Sequence, residues 1–518
     1  MESLPEFRNE AYTDFSIPAN RRAMELALEE VHAQFGCEYP LRWQGTVVHS
    51  GERLESVNSS HPKEIVGIHE KATPEIARRA VDAAYEYFPE WAATPPEERV
   101  RMLLRAAEIL RRRKLELDAW LVYEAGKNWA EAEADVSEAI DFCEYYARQM
   151  LRLSGPQPVV QLTGERDELY YLPLGVGVII PPWNFPLAIL AGMTVAALVA
   201  GNPVIVKPSS ETPTIAARFG EVLREAGFPE KAFCIMPGSG AVIGDVLVEH
   251  PRTRFIAFTG SREVGLRINE LAARAQPGQV WIKRVIAEMG GKDAIVVDGD
   301  CDLDQAVGGV LVSAFGYQGQ KCSACSRAIV HERVYDAFLE NLAAKAAAIS
   351  VGPADRPENY MGPVISEGAR RTILQYIEQG KREGRLVTGS EPPPQGGYFL
   401  RPTILADVDR KARIFQEEIF GPVLAVTRAR DFEHAIELAN DSQYGLTGAI
   451  YSRDPEHIRK GRERLFVGNL YINRKCTGAM VGAHPFGGFN LSGTDSKAGG
   501  PDYLLLFLQA KSIAERVG

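Results

Sequence analysis

The segment Gly316-Tyr317-Gln318-Gly319-Gln320-Lys321-Cys322-Ser323-Ala324-Cys325 places two cysteines in a C-x-x-C behind a glycine-rich turn. Four readings fit that spacing: a redox dithiol, half of a zinc site, a small buried residue in a turn, or a nucleophilic thiolate. Zinc asks for a second Cys or His pair at short spacing, and the sequence offers none, so no metal is expected. A thiolate at Cys322 gains from the adjacent Lys321, because a nearby cation lowers the cost of the negative sulfur. In Pro182-Trp183-Asn184-Phe185-Pro186, the amide of Asn184 must find partners in an apolar setting. It serves either as a helix cap or as a donor to a developing oxyanion. Glu288 precedes a Gly-Gly turn in AEMGGKD, either as a solvated loop carboxylate or as an acid held for chemistry. Phe258 to Gly265 reads as a strand ending in a glycine turn that opens a helix, an arrangement suited to a pyrophosphate. Neither this turn nor those at Gly175 and Gly238 has the G-x-G-x-x-G spacing of the common dinucleotide fingerprint.

These residues need elements to hold them. From Gly175 onward, short apolar runs alternate with helical segments: GVGVII, Leu187 to Ala200, VIVKP, Thr214 to Ala226, FCIMP, Ala241 to Val248 and FIAFTG. A second round starts at AIVVD and runs through a helix at Asp302 to Gln318, strand AIVHE, a helix at Val334 to Ser350, and strands near Leu424 and Ile450. That grammar predicts an α/β fold with two parallel sheets covered on both faces. Pro74 to Gln149 is helical by its three- and four-residue spacing. PVVQL and ELYYL, flanking Thr163 and Gly164, predict a β-hairpin at a domain junction.

With 518 residues the chain exceeds one hydrophobic core, and 45% hydrophobic with 24% charged residues describes a folded globular protein. The net charge of −10 offers no basic field for nucleic acid. No charged residue lies between Glu168 and Lys207, yet the apolar run at Leu187 to Ala200 is bounded by prolines and too short for a bilayer. It predicts a buried helix, so no membrane partner is expected. Seven scattered cysteines point to a reducing compartment, and the opening MESLPEFRNE has no signal-like apolar core, so a cytoplasmic location is expected.

The segments PWNFP, NPVIVKPS, FTGSREVG, AEMGG, GQKCSAC, EEIFGPV and PFGG, in that order and spacing, make the chain resemble the aldehyde dehydrogenase superfamily over essentially its whole length. The resemblance implies two Rossmann-type parallel-sheet domains and a small β oligomerisation element. The dinucleotide-binding domain would comprise 1–150 and 171–287, the catalytic domain 288–484, and the oligomerisation element 151–170 and 485–518. It makes Cys322, not Cys325, the nucleophile, Asn184 the oxyanion donor and Glu288 the general base. Pro182, Trp183, Lys207, Ser210, Gly260, Ser261, Glu418 and Phe420 would hold NAD, with Lys207 on the adenosine ribose, Ser261 on the pyrophosphate, and Glu418 and Phe420 at the nicotinamide ribose. The implied partner is a small aldehyde, and the implied assembly a homo-oligomer built from dimers. There the segments near Val159 to Tyr171 and Leu504 to Ser512 would exchange between subunits.

PEFRNEAYTDFSIPANRRAM, EADVSEAIDFCEYYARQM and GNLYINRKCTGAMVG with SGTDSKAGGPDYL are similar to one branch of that family, which oxidises L-glutamate γ-semialdehyde, the open form of pyrroline-5-carboxylate, in proline catabolism. By that resemblance Ser323 and the backbone amides of Gly478 and Ala479 receive the substrate carboxylate, while Phe185 and Phe486 sandwich its aliphatic chain. Glu138 and Lys321 stand as supports near the pocket mouth, with a surface salt bridge as the alternative for each. Another semialdehyde, or a catalytically silent structural role, are the rival readings. The joint presence of Cys322, Asn184 and Glu288 speaks against the silent one. Two departures stand out: Ser210 occupies the place where many NAD-preferring relatives carry glutamate, so NADP is expected as a second cofactor, and Ala483-His484 precedes PFGG in place of a glutamine-rich segment.

Overall fold

The computed structural model describes residues 4–517. Residues 177–288 build a five-stranded parallel sheet in the spatial order Arg284–Glu288, Phe255–Thr259, Gly177–Ile180, Val204–Val206, Phe233–Ile235. The chain starts at the third position, moves outward for two strands, then returns to fill the other side. The loops after Gly177–Ile180 and Phe255–Thr259 therefore leave in opposite directions and open a crevice at the carboxyl ends of the strands.

Side chains alternate across this sheet as strand geometry requires. Val178, Ile180, Ile256 and Phe258 share a core with helices Pro74–Ala93 and Arg262–Ala273. Ile179, Val206, Phe255 and Ala257 join a core with helices Pro96–Arg112, Trp129–Leu153, Ala188–Val199 and Pro213–Glu225. The apolar run foreseen as a buried helix is the 12-residue Ala188–Val199, buried along nearly its whole length. Among the described residues, no helix is long and apolar enough to cross a membrane.

The second sheet has seven strands in the order Arg385–Thr388, Thr403–Ala406, Val423–Ala429, Cys325–His331, Asp293–Val297, Thr447–Tyr451, Asn469–Ile472, parallel except at the Arg385–Thr388 edge. Asp293–Val297 follows closely on Arg284–Glu288, the last strand of the first sheet, so the Gly290-Gly291 turn is the hinge between the sheets.

Three expectations change. The β-hairpin at Thr163-Gly164 does not form: Glu165–Pro173 pairs antiparallel with Leu508–Arg516, and Pro158 to Leu162 adds no strand beyond a single bridge of Gln157 to Leu169. Side chains have taken the turn's backbone groups. Gln161 donates to Asp167 O (2.7 Å) and accepts from Asp167 N (3.0 Å), and the Asp167 carboxylate accepts from Leu162 N (3.0 Å). The C-terminal strand begins at Leu508 because Tyr503–Phe507 forms a 3₁₀ turn instead. The helix begun at Leu303 stops at Phe315, and Gly316–Gly319 is a 3₁₀ turn in which Tyr317 and Gln318 have positive φ. A small sheet of Cys37–Tyr39, Arg53–Asn58 and His61–Glu70 was not foreseen, its strands being polar or short.

Candidate active site

Cys322 lies between the Gly316–Gly319 turn and strand Cys325–His331. Its loop is pinned by side chains: Tyr317 Oη donates to Ala125 O (2.9 Å), Gln318 Nε2 to Gly126 O (3.0 Å) and Pro363 O (2.8 Å), and Gln320 Oε1 accepts from Ile365 N (2.9 Å). The hinge glycines permit two close approaches. A Cβ on Gly291 would lie 2.6 Å from Cys322 O, and one on Gly290 would overlap the Glu418 carboxylate.

Asn184 sits in the turn between Gly177–Ile180 and Ala188–Val199, buried, with Nδ2 donating to Gln320 O at 3.1 Å. That bond ties the amide to the Cys322 loop, and the second N–H of the amide remains for another acceptor. The turn is held from below by helix Trp129–Leu153. Asp135 Oδ1 accepts from Ala188 N at 2.6 Å, capping the apolar helix, and Asp135 Oδ2 pairs with Lys127 at 3.2 Å. The Lys127 ammonium stands 4.0 Å from the Phe185 ring centroid and 4.3 Å from that of Tyr317, so one buried cation backs both loops.

Glu288 ends strand Arg284–Glu288 and is buried. Its carboxyl accepts from Gly488 N (3.1 Å) and Ser496 Oγ (3.0 Å), and burial pushes its pKa up to about 8 against the pull of those two bonds. The Cys322 thiol is pushed well above its ordinary value by burial first, then by Glu288, Asp293 and Glu418, with Ser323 N–H acting in the opposite sense. The expectation that Lys321 stabilises the thiolate is corrected: its ammonium is bonded to both oxygens of Glu131 at 2.7 Å. Helix spacing explains the capture, since Glu131, Asp135 and Glu138 recur at i, i+4 and i+7 on one face of Trp129–Leu153.

A cavity of about 350 Å³ brings together Cys322, Ser323, Glu288, Lys321, Glu138, Phe185, Phe486, Gly478 and Ala479. Asn184 borders it through Phe185 and the Cys322 loop. The lining at Gly478 and Ala479 is shaped by the turn after Cys476, where Gly478 has φ +75° and Lys475 packs beside it. Lys475, Met480, His484, Tyr12 and Ser496 also line the cavity and were not foreseen. His484 answers the departure before PFGG: its Nδ1 accepts from Met480 N at 3.1 Å and its own N–H donates to Met480 O at 2.8 Å, closing the loop. Glu138 has its carboxyl pushed up to about 8, by burial first and then by Asp135.

The remaining residues gather at the crevice of the first sheet. Pro182 and Trp183 follow one strand of the crevice, and Gly260 and Ser261 follow the other. Lys207 follows the next strand, its ammonium donating to Pro208 O (3.0 Å) and Gly238 O (3.3 Å), with burial lowering it to about 8. Ser261 Oγ caps Arg262–Ala273 by accepting from Val264 N, leaving a helix N-terminus that faces the crevice. Ser210 Oγ lies 3.5 Å from Gly238 O. Glu418 reaches in from the second sheet's side, accepting from Gly291 N at 3.0 Å, its carboxyl raised to about 7 by burial. The Trp183 and Phe420 rings meet edge to face at 5.3 Å. A strand-order reversal, a helix N-terminus, a buried ammonium and a carboxylate at the Gly290-Gly291 turn form a set that fits a dinucleotide.

A two-sheet fold of this kind, with a half-buried cysteine, a carboxyl and an amide converging where a dinucleotide crevice meets a cavity, is that of an aldehyde-oxidising enzyme, and the chain belongs to the aldehyde dehydrogenase family, whose pattern matches residues 47–513. The 1-pyrroline-5-carboxylate dehydrogenase of Geobacillus thermodenitrificans is 57% identical over 509 residues, 98% of this chain and 99% of that one. The crystal structure of 1-pyrroline-5-carboxylate dehydrogenase from Thermus with bound NAD superposes with a TM-score of 0.98 at 52% identity, covering 100% of each chain. Proline utilization A from Bdellovibrio bacteriovorus matches with a TM-score of 0.98 at 45% identity over 100% of this chain and 54% of that longer one.

Proposed function

We propose that the protein oxidises L-glutamate γ-semialdehyde, the open form of 1-pyrroline-5-carboxylate, to L-glutamate in proline catabolism, with NAD as hydride acceptor and NADP as a second. The observation that carries this is one cavity lined together by Cys322 and Glu288, by Gly478, Ala479 and Lys475, and by the rings of Phe185 and Phe486. Apolar rings suit the substrate's short methylene chain, and a nest of backbone N–H groups beside a lysine suits its carboxylate.

Cys322 Sγ adds to the aldehyde carbon, its proton leaving to cavity water as the S–C bond forms, since the resting thiol is neutral. The free N–H of Asn184 and the backbone N–H of Cys322 hold the resulting oxyanion. NAD, when bound along Lys207, Ser261 and Glu418, supplies an acceptor for the hydride on that carbon. At the thioester stage, Glu288 takes a proton from water, the hydroxide adds to the carbonyl, and the C–S bond breaks as the proton on Glu288 passes to sulfur, releasing the acid and restoring the thiol and the carboxylate. Glu138 and Ser323 bind the substrate's polar head, and Lys321 anchors Glu131 at the mouth.

In this reading residues 1–150 with 171–287 hold the cofactor, 288–484 carry the chemistry, and 151–170 with 485–518 serve assembly. The exposed Val160, Leu162 and Leu172 beside the two-stranded arm support its burial by a second copy of the chain. All seven cysteines are free thiols, which supports a cytoplasmic setting.

NADH formation, measured with the semialdehyde and with a panel including succinate semialdehyde and propanal, tests the reading. A kcat/KM for the glutamate semialdehyde no higher than for the others would overturn it.

A further inference from the structure

The cavity's outer wall is not made by the two sheets. Residues 7–13, of which Tyr12 lines the cavity, run over helix Trp129–Leu153 and reach the loop that follows Gly478. Asn9 Nδ2 donates to both Asp141 Oδ2 (2.8 Å) and Val481 O (3.0 Å), so one amide joins helix to loop. Glu10 N donates to Asp141 Oδ1 at 2.7 Å and Thr13 N to Glu133 Oε1 at 2.8 Å, fixing the strap along the helix. Phe7 meets Tyr145 edge to face at 5.1 Å. Both rings pack against Gly482, where a Cβ would lie 3.0 Å from Phe7 and 3.2 Å from Tyr145 and where φ is +80°. Tyr12 lines the cavity, its hydroxyl 3.7 Å from Met480 Sδ.

We infer that this strap is part of substrate recognition: Asn9 is a positioning residue that sets the loop Gly478–His484 so that its backbone amides face the substrate carboxylate, and Tyr12 forms the outer wall over the substrate's head group. The inference rests on the proposed carboxylate nest at Gly478 and Ala479. Physical reasons favour Asn9 for this part. The loop is already closed on itself by His484 and Met480, so it moves as a unit. It is tied to the helix by the Asn9 bond to Val481 O, by Tyr12 Oη on Met480 Sδ, by the Phe7–Tyr145 packing on Gly482, and by Gly482 N donating to Gly499 O (2.9 Å), whose own N–H donates to Tyr146 Oη (2.9 Å); among these, Asn9 alone joins the loop directly to a buried carboxylate of the helix. Asp141 is buried, and its two oxygens are satisfied by Asn9 and Glu10 alone among the described hydrogen bonds, so the strap also keeps that carboxylate in place.

The test compares the semialdehyde with propanal, which lacks a carboxylate, in steady-state kinetics of the full chain. Asn9→Ala is expected to raise KM for the semialdehyde about tenfold with kcat within about twofold, and to leave both constants for propanal and the KM for NAD unchanged. Asn9→Asp keeps the shape, loses the donors, and should move KM in the same direction. Glu10→Ala removes a side chain that bonds Arg111 and leaves Val481 alone, so it should match the wild type. Equal losses with both aldehydes, an Asn9→Asp protein with wild-type KM, or a Glu10→Ala protein as impaired as Asn9→Ala would each overturn the inference. A wild type that favours propanal over the semialdehyde would instead overturn the functional reading, and the inference with it.

Discussion

The carboxyl of Glu288 accepts a hydrogen bond from the hydroxyl of Ser496 at 3.0 Å, which ties the proposed base to a segment 208 residues further along the chain. The same segment supplies Gly488 N–H to the other carboxyl oxygen, and its backbone is stitched to the base's strand by Met289 N to Ser492 O (2.7 Å) and Thr494 N to Ala287 O (2.9 Å). Two forces act on this carboxyl: burial raises its pKa, and two donors lower it, leaving it at about 8. The group is therefore poised where a carboxylate can take a proton from water and still be formed at mildly alkaline pH.

Thioester hydrolysis should accordingly rise with pH through about 8, because only the ionised form is a base and it is lost as pH falls below that value. Ser496→Ala removes a donor that favours the ionised form, so the midpoint of kcat against pH should move upward. A midpoint that stays put, or moves down, would show that Ser496 does not act on the base. Glu288→Gln should retain a pre-steady-state burst of NADH and lose steady turnover. Absence of the burst would place Glu288 at the earlier proton transfer from Cys322.

Cys322→Ala should abolish turnover and keep cofactor binding, since the crevice residues lie on the first sheet and in Glu418 and Phe420. Cys325→Ala should keep most activity. The Cys325 side chain is buried at the start of a central strand, with its thiol donating to Arg327 O, and it does not line the cavity. A fluorescence titration with NAD alongside the rate assay separates the two effects. Reversal of the two phenotypes would move the nucleophile to Cys325.

Asp135 carries two loads, the cap on Ala188 N and the charge of buried Lys127. Burial pushes the carboxyl up and the ammonium down, and each is the leading influence that restrains the other. Asp135→Ala would leave an ammonium without its counterion in the core and an uncapped helix under Asn184. The expected loss is about 3–5 kcal/mol, with activity falling at temperatures where the protein stays folded. Urea unfolding monitored together with residual activity checks this. A midpoint within error of the wild type would mean that the Lys127 cation is held by the Phe185 and Tyr317 rings alone.

The sheet strands and the buried helix Ala188–Val199 were legible because apolar alternation and apolar runs are local patterns set by the faces they bury. Cys322, Glu288, Asn184 and the glycines around them were legible through short motifs, each of which is one loop at a strand end. Lys321 shows the limit. Its position beside the thiol suggested one partner, but an acid on a helix about 190 positions away captured it, and nothing within GQKC encodes that helix. Asp135, Lys475 and Ser496 were missed for the same reason, and His484 stood out only as a departure before PFGG, with nothing local to show that it closes its loop on Met480. The failed hairpin at Thr163-Gly164 had a correct apolar pattern and a suitable turn. It was overruled by the side chains of Gln161 and Asp167, whose reach a strand pattern does not register.

Ser210 is three residues beyond Lys207, and its hydroxyl reaches the Gly238 carbonyl that the Lys207 ammonium also contacts, so both side chains border the same rim of the crevice. A glutamate there would accept from a ribose hydroxyl and repel a 2′-phosphate. Serine is neutral and does neither strongly, while the Lys207 ammonium favours an anion. The crevice also lacks a guanidinium among the residues assigned to the adenosine end, so nothing clamps a phosphate in two places. NAD should therefore be preferred and NADP accepted. Ser210→Glu brings a carboxylate to within a side chain's length of that ammonium. At about 4 Å and the screening of a protein surface, two like charges repel by about 4 kcal/mol, so even a fraction of that interaction is enough to lower kcat/KM for NADP tenfold or more. The value for NAD should stay within about threefold, because a ribose hydroxyl tolerates either an acceptor or a hydroxyl opposite it. Raising ionic strength should narrow the difference for the mutant, since the repulsion is screened. Measurement of kcat/KM for both cofactors in both proteins, at low and high salt, decides the point: an unchanged NADP-to-NAD ratio would mean that residue 210 does not face the 2′ position.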